Sequence, residues 1–220
     1  MFQQLLDNNK IERAPIAEVF KKQPREILLS ALLRISEQAQ FYIFTAFIFA
    51  YAVNTLKMSR DLILAAVMVA ACVSFVTIPL SGHISDRIGR KRMYLIGVVA
   101  VGLFGFLYFG MVDTAIPSAV FIAIVLSLIP HDIQYGPQAA LIAESFTPRL
   151  RYSGASLGYQ LASIIAGGPA PLIAAALFAH YQSGNAIAIY IAACAVVSLV
   201  AAALMPDYTG QDISTEYDER

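Results

Sequence analysis

Six long stretches of this sequence are almost free of charge, and they constrain the fold more than anything else in it. They cover residues 27–53, 62–81, 93–112, 116–143, 153–178 and 186–205. A helix needs roughly 20 mostly apolar residues to cross the hydrocarbon of a bilayer. No water is available there, so a spanning segment must satisfy its own backbone, and only helices and closed barrels do so. These stretches are too long for barrel strands and lack their period-2 alternation. They predict an all-α integral membrane protein with six transmembrane helices. The junctions carry turn chemistry, such as Gln182-Ser183-Gly184-Asn185, and Pro206 stops the last stretch.

Composition excludes the alternatives. Of 220 residues, 58% are hydrophobic and 14% charged, and the mean hydropathy is +0.66. A soluble domain carries about 25% charged residues to cover its wet surface. Disorder is excluded by the same apolar content, and a disulfide scaffold by the presence of only two cysteines. Cys72 and Cys194 both lie in apolar runs and read as small hydrophobes. Fifteen basic and fifteen acidic residues cancel, which leaves no footprint for nucleic acid. No phosphate loop, H-E-x-x-H, C-x-x-C or G-x-S-x-G occurs, and His83, His131 and His180 are scattered. The chain therefore reads as a non-enzyme without metal or cofactor.

Lys and Arg set the expected orientation. Twelve lie in residues 1–26, in the second-to-third and fourth-to-fifth junctions and in the tail, against Lys57 and Arg60 on the other side. Both termini are expected in the cytoplasm. Residues 1–26 read as a cytoplasmic linker, 27–206 as the bundle and 207–220 as a cytoplasmic tail.

The junction after the second stretch reads Gly82-His83-Ile84-Ser85-Asp86-Arg87-Ile88-Gly89-Arg90-Lys91-Arg92. Gly82 permits close helix approach, Gly89 a left-handed turn, and Asp86 can pair with a nearby arginine. Four basic residues alone would fit any cytoplasmic loop. With both glycines and Asp86 in register, the segment resembles the G-x-x-x-D-R-x-G-R-K/R-K/R signature of the major facilitator superfamily. The stretch from Glu144 to Gln160, with Gly167-Gly168-Pro169-Ala170-Pro171 and Ser36-Glu37-Gln38-Ala39-Gln40-Phe41-Tyr42, is similar to the metabolite:proton symporters. These are permeases for shikimate, α-ketoglutarate, and proline with betaine. Thr147-Pro148 departs from the Pro-Thr order of many members.

The resemblance covers the whole chain but only the C-terminal six of twelve helices. It implies a bacterial inner-membrane transporter with an N-terminal six-helix half outside this chain, or a second copy as partner. It also implies membrane lipid, a small-molecule substrate and a proton as ligands, with alternating access as the mechanism. A non-transporting remnant and a membrane adaptor are the rival readings.

Ionisable residues at bilayer depth cost about 2.5–3.5 kcal/mol each and are functional candidates for that reason. Arg34 and Glu37 lie three residues apart on one helical face, with Gln38 and Tyr42 beside them. His131, Asp132, Gln134, Tyr135 and Gln138 interrupt the fourth stretch after Pro130. A substrate and proton pathway through Arg34, Glu37, Gln38, Tyr42, Asp132, Tyr135 and Gln138 is one reading. Asp132 then carries the proton, because Arg34 balances Glu37, and Arg34 offers a carboxylate two donors. A structural brace whose side chains reach outward is the other reading for the Arg34–Glu37 pair. Glu144 and Arg151 are expected to pair across a junction. Gly154, Gly158 and Ala162, four residues apart, form a stripe for close packing, either within the chain or against the other half.

Overall fold

The computed structural model describes residues 15–210, and every regular element among them is helical. The expected linker and tail thus fall partly outside the described residues, as do Lys10, Arg13 and Arg220 of the orientation count. A lead helix, α1 (Pro15–Lys22), precedes a run of helical pieces. These are α2 (Pro24–Leu33), α3 (Ile35–Tyr42), a π-helical turn (Ile43–Phe47), α4 (Ile48–Ala50) and a second π turn (Tyr51–Thr55). Three long helices follow: α5 (Arg60–Ile88), α6 (Arg90–Val112) and α7 (Pro117–Glu144). After them, α8 (Arg151–Ala162) continues through a π turn (Ser163–Gly167) towards α9 (Ala170–Tyr181), and α10 (Gly184–Leu204) closes the bundle.

Five segments are long and apolar enough to cross a membrane: α5, α6, α7, Arg151–Tyr181 and α10. The stretch expected as a first span is instead divided into shorter pieces. Its main break is at Arg34, between α2 and α3. The backbone groups around the break find partners on other helices. Tyr94 on α6 donates its hydroxyl to the Leu33 carbonyl at 2.5 Å. Ser198 on α10 donates to the Leu32 carbonyl at 3.1 Å and accepts from the Ser36 N–H at 2.9 Å. In apolar surroundings a backbone group without a partner is costly, so these side chains are what makes a broken helix tolerable there.

Helix α7 is the central strut, with α5 and α6 packed along it, and α10 lies against α6. Glycines set the closest crossings. A Cβ at Gly97 would stand 2.4 Å from the Gln134 backbone nitrogen, and one at Gly136 would stand 2.8 Å from that of Gly82. Backbones this close gain dispersion contacts, the main attraction between helices where lipid is as apolar as leucine. One core cluster gathers Phe44, Tyr51, Tyr108 and Phe109, and a second gathers Leu33, Tyr94, Leu141 and Phe146. The outer faces are apolar as well: Phe75 is 87% exposed, Leu172 74% and Ile164 70%.

The segment from Gly82 to Arg92, expected as a loop, is almost entirely helical. Helix α5 runs to Ile88, α6 begins at Arg90, and Gly89 alone makes the corner, with φ of +104°. The Gly89 N–H still bonds the Ser85 carbonyl at 2.9 Å, so the helix holds its ladder up to the turn.

Gly97→Ala is expected to reduce the thermal stability of the solubilised protein, on the scale of about 1–3 kcal/mol for overpacking. Gly110→Ala, with no atom within 4 Å of the added carbon, serves as the comparison and is expected to be neutral or mildly stabilising. Equal unfolding temperatures for the two variants would refute the close α6–α7 crossing.

Candidate functional site

Three helical segments converge on a cavity of about 400 Å³. The α2–α3 run supplies Arg34, Glu37, Gln38, Phe41 and Tyr42, α5 supplies Ser74 and Ile78, and α7 supplies His131, Asp132 and Tyr135. Arg34, Glu37, His131 and Asp132 are all at most 5% exposed.

Arg34 points inward, so the outward-reaching brace is not what the chain builds. Its Nη2 donates to Glu37 Oε2 at 2.9 Å and its Nη1 to the Tyr159 carbonyl at 3.0 Å. The guanidinium also lies 3.8 Å from the centre of the Tyr159 ring, where the negative face of the ring favours a cation. Gln38 Nε2 donates to both oxygens of Glu37 at 3.0 Å. His131 stands on the far side of that carboxylate, with Nε2 3.5 Å from Glu37 Oε1. Its Nδ1 is 2.9 Å from Asp132 Oδ1, and Thr77 on α5 donates to Asp132 Oδ2. Arg34, Glu37, His131, Asp132 and Thr77 thus form one continuous polar line across three helices.

Six of the seven residues expected in a substrate and proton pathway line this cavity: Arg34, Glu37, Gln38, Tyr42, Asp132 and Tyr135. Gln138 does not. It is fully buried, and its amide nitrogen and oxygen have no hydrogen-bond partner. His131 and Thr77, absent from the expected set, bind Asp132 on both sides. His131 also stacks on Tyr135, their rings 5.2 Å apart and inclined by 17°. A signal for the α5 contribution was present, since Ser74 and Thr77 share one face of an otherwise apolar helix.

A second cluster lies at the α5–α6 corner. Arg90 donates to Asp86 Oδ1 at 3.0 Å and forms an ion pair with Glu144 at the end of α7. Glu144 therefore takes its partner from the corner. Lys91 Nζ donates to the carbonyls of Ala203 and Met205 at 3.0 and 2.6 Å, and Arg25 to that of Leu204 at 3.2 Å. Cations on the last carbonyls of α10 satisfy groups the helix cannot and complement its dipole. Arg87 and Arg92 are exposed beside this cluster.

Gly154, Gly158 and Ala162 are buried inside the bundle. A Cβ at Gly154 would collide with the Phe146 ring, and one at Gly158 would stand 2.6 Å from Ser30 Cβ. The stripe therefore seats α8 on α2 and Phe146 within this chain, and is not a free face for another half.

The Major Facilitator Superfamily profile matches residues 30–217. The chain belongs to the major facilitator superfamily. The shikimate transporter of Escherichia coli (strain K12) is 36% identical over 198 residues, covering 89% of this chain and 45% of that protein. The inner membrane metabolite transport protein YhjE of the same strain is 28% identical over 218 residues, covering 97% of this chain and 49% of that protein. The proline/betaine transporter of that strain is 26% identical over 193 residues, covering 86% and 38% respectively. The chain thus spans about half the length of the curated relatives it matches. No solved structure matches it. Members of this superfamily are transporters, and five helices among the described residues are long and apolar enough to cross a membrane.

The burial of Arg34 and Glu37 sets up a double-mutant test. Arg34→Gln or Glu37→Gln alone leaves one buried charge without its counter-charge, a change worth about 3–5 kcal/mol. The double variant removes both charges and is expected to melt at a higher temperature than either single variant. Additive losses would show that the two side chains do not interact.

Proposed function

We propose that this chain is the six-span, C-terminal half of a proton-coupled metabolite carrier of the inner membrane, with both termini in the cytoplasm. The observation that carries the reading is the line Arg34–Glu37–His131–Asp132, buried in a cavity among helices that are otherwise apolar. Such a line is expensive to insert, and a bundle that only filled space would gain nothing from it. A second six-helix half completes the carrier, either as another stretch of polypeptide or as a second copy, and the two halves rock to expose the cavity to each side in turn.

The substrate is a small polar metabolite with a carboxylate, an organic acid or a betaine-like compound. Shikimate, proline and betaine, after which the relatives are named, share that group. Arg34 provides the paired donors a carboxylate takes, Gln38 and Tyr42 line one wall, and Tyr135 lines the wall opposite. The coupling proton rests on the His131–Asp132 pair. A low-dielectric cavity strengthens each of these contacts relative to bulk water.

Uptake of labelled shikimate, proline and glycine betaine into cells producing the protein tests the reading. Accumulation of at least one of them, abolished by collapsing the proton gradient, is the expected result. Asp132→Asn is expected to remove the gradient dependence while leaving the amount of protein in the membrane unchanged. Uptake by that variant at the level of the unaltered protein, with the same proton dependence, would take Asp132 out of the mechanism.

A further inference from the structure

Among the described residues, three side-chain atoms on the cavity lining are buried without a hydrogen-bond partner: Arg34 Nε, His131 Nε2 and Ser74 Oγ. The first two belong to the residues that flank the Glu37 carboxylate, and each is informative. Nε and Nη2 of an arginine form the side-on fork that a carboxylate grips with two oxygens. Glu37 uses only Nη2 of that fork. On the other side, Asp132 Oδ1 at 2.9 Å selects the imidazole tautomer that carries its proton on Nδ1. Neutral His131 therefore turns the lone pair of Nε2 towards Glu37 Oε1, 3.5 Å away. A lone pair facing a carboxylate oxygen cannot form a hydrogen bond, and at 3.5 Å none is made. One proton on Nε2 converts the same approach into a charge-assisted bond.

The charges around His131 reinforce the point. The first helical run presents Arg34 and Glu37 to it, and its own helix presents Asp132 and Tyr135. Helix α5 presents the hydroxyls of Ser74 and Thr77. Tyr94 of α6 has its hydroxyl on the Leu33 carbonyl, and Tyr159 of α8 stacks on Arg34. With neutral His131, Arg34, Glu37 and Asp132 leave one net negative charge in the cavity. With protonated His131 the four residues balance.

Resting on the carboxylate-carrier reading, we propose that Glu37 is a hand-off group, held by Arg34 when His131 is neutral and by His131 when it is protonated. A substrate carboxylate needs both Nε and Nη2 of Arg34, so it must displace Glu37, and Glu37 has a cationic partner to move to only once His131 carries its second proton. The proton enters at Nε2 from cavity water. It leaves from the same atom when the substrate departs and Glu37 returns to Arg34. Proton and carboxylate therefore bind together, each strengthening the other by the same factor. His131 acts as a positioning residue, through Glu37, and does not itself touch substrate.

Isothermal titration of the purified protein with shikimate and with glycine betaine, at pH 6 and pH 8 and in buffers of different ionisation enthalpy, tests this. Both probes keep an ionised carboxylate over that range. The expected result is affinity about tenfold or more weaker at pH 8, with close to one proton taken up per probe bound. His131→Gln is expected to bind with little pH dependence and no proton uptake. Binding by the unaltered protein without proton uptake would overturn the hand-off and leave the carboxylate site standing, as would proton uptake undiminished in His131→Gln. Binding of neither probe at either pH would overturn the carboxylate-site reading, and the hand-off with it.

Discussion

A cation held away from water must find its counter-charge inside the protein, and the architecture around the cavity follows from that requirement at Arg34. The guanidinium is bracketed by the Glu37 carboxylate, the Tyr159 carbonyl and the Tyr159 ring, which come from two different helical segments. To deliver those contacts the first helical run breaks at Arg34 itself. The break exposes backbone groups that Tyr94 and Ser198 then engage. Two helices that never touch the cavity, α6 and α10, are in this way committed to its geometry.

The corner cluster solves a different problem with the same residue types. There Arg90, Lys91 and Arg25 lie near the helix ends, where carbonyls lack partners, and each cation meets a carboxylate or a terminal carbonyl. The two clusters share their helices. The α1–α2 region carries Arg25 and Arg34, α5 carries Thr77 and Asp86, and α7 carries Asp132 and Glu144. The corner and the cavity are therefore carried by the same helices.

What could be read from the sequence follows the strength of the physical signal. Apolar length sufficed for the helical class, because backbone satisfaction in hydrocarbon leaves so few options. Arg34 and Glu37, three residues apart, announced their own pairing. The division of the first stretch was not legible, since the groups that make it tolerable, Tyr94 and Ser198, are distant in the chain. His131 was seen but not placed, because its significance depends on Glu37 standing across the cavity from it. The partner of Glu144 was misjudged for a similar reason. Arg151 is near in sequence, but the Gly89 corner carries Arg90 to the end of α7. The small-residue stripe on α8 predicted close packing without saying against what, and Phe146 and Ser30 are the answer.

Proline placement connects the polar cavity to the stiffness of the helices that bear it. Pro79 lies inside α5 two residues after Thr77, and Pro130 and Pro137 lie inside α7 on either side of His131, Asp132 and Tyr135. Each proline removes one rung of the backbone ladder and leaves a carbonyl one turn earlier without its usual donor. Gln40 takes up a neighbouring one, donating to the Ser127 carbonyl at 3.1 Å, while Gln134 reaches Gln40 in turn at 3.4 Å. The buried glutamines thus stitch α3 to the weakened part of α7. His131 and Asp132 stand on the stretch of α7 between two prolines, and Thr77, which donates to Asp132, stands just before the proline of α5. The polar contacts of the cavity thus lie where each helix lacks a backbone rung, while the close crossings at Gly97 and Gly136 hold α6 and α5 against α7 around them.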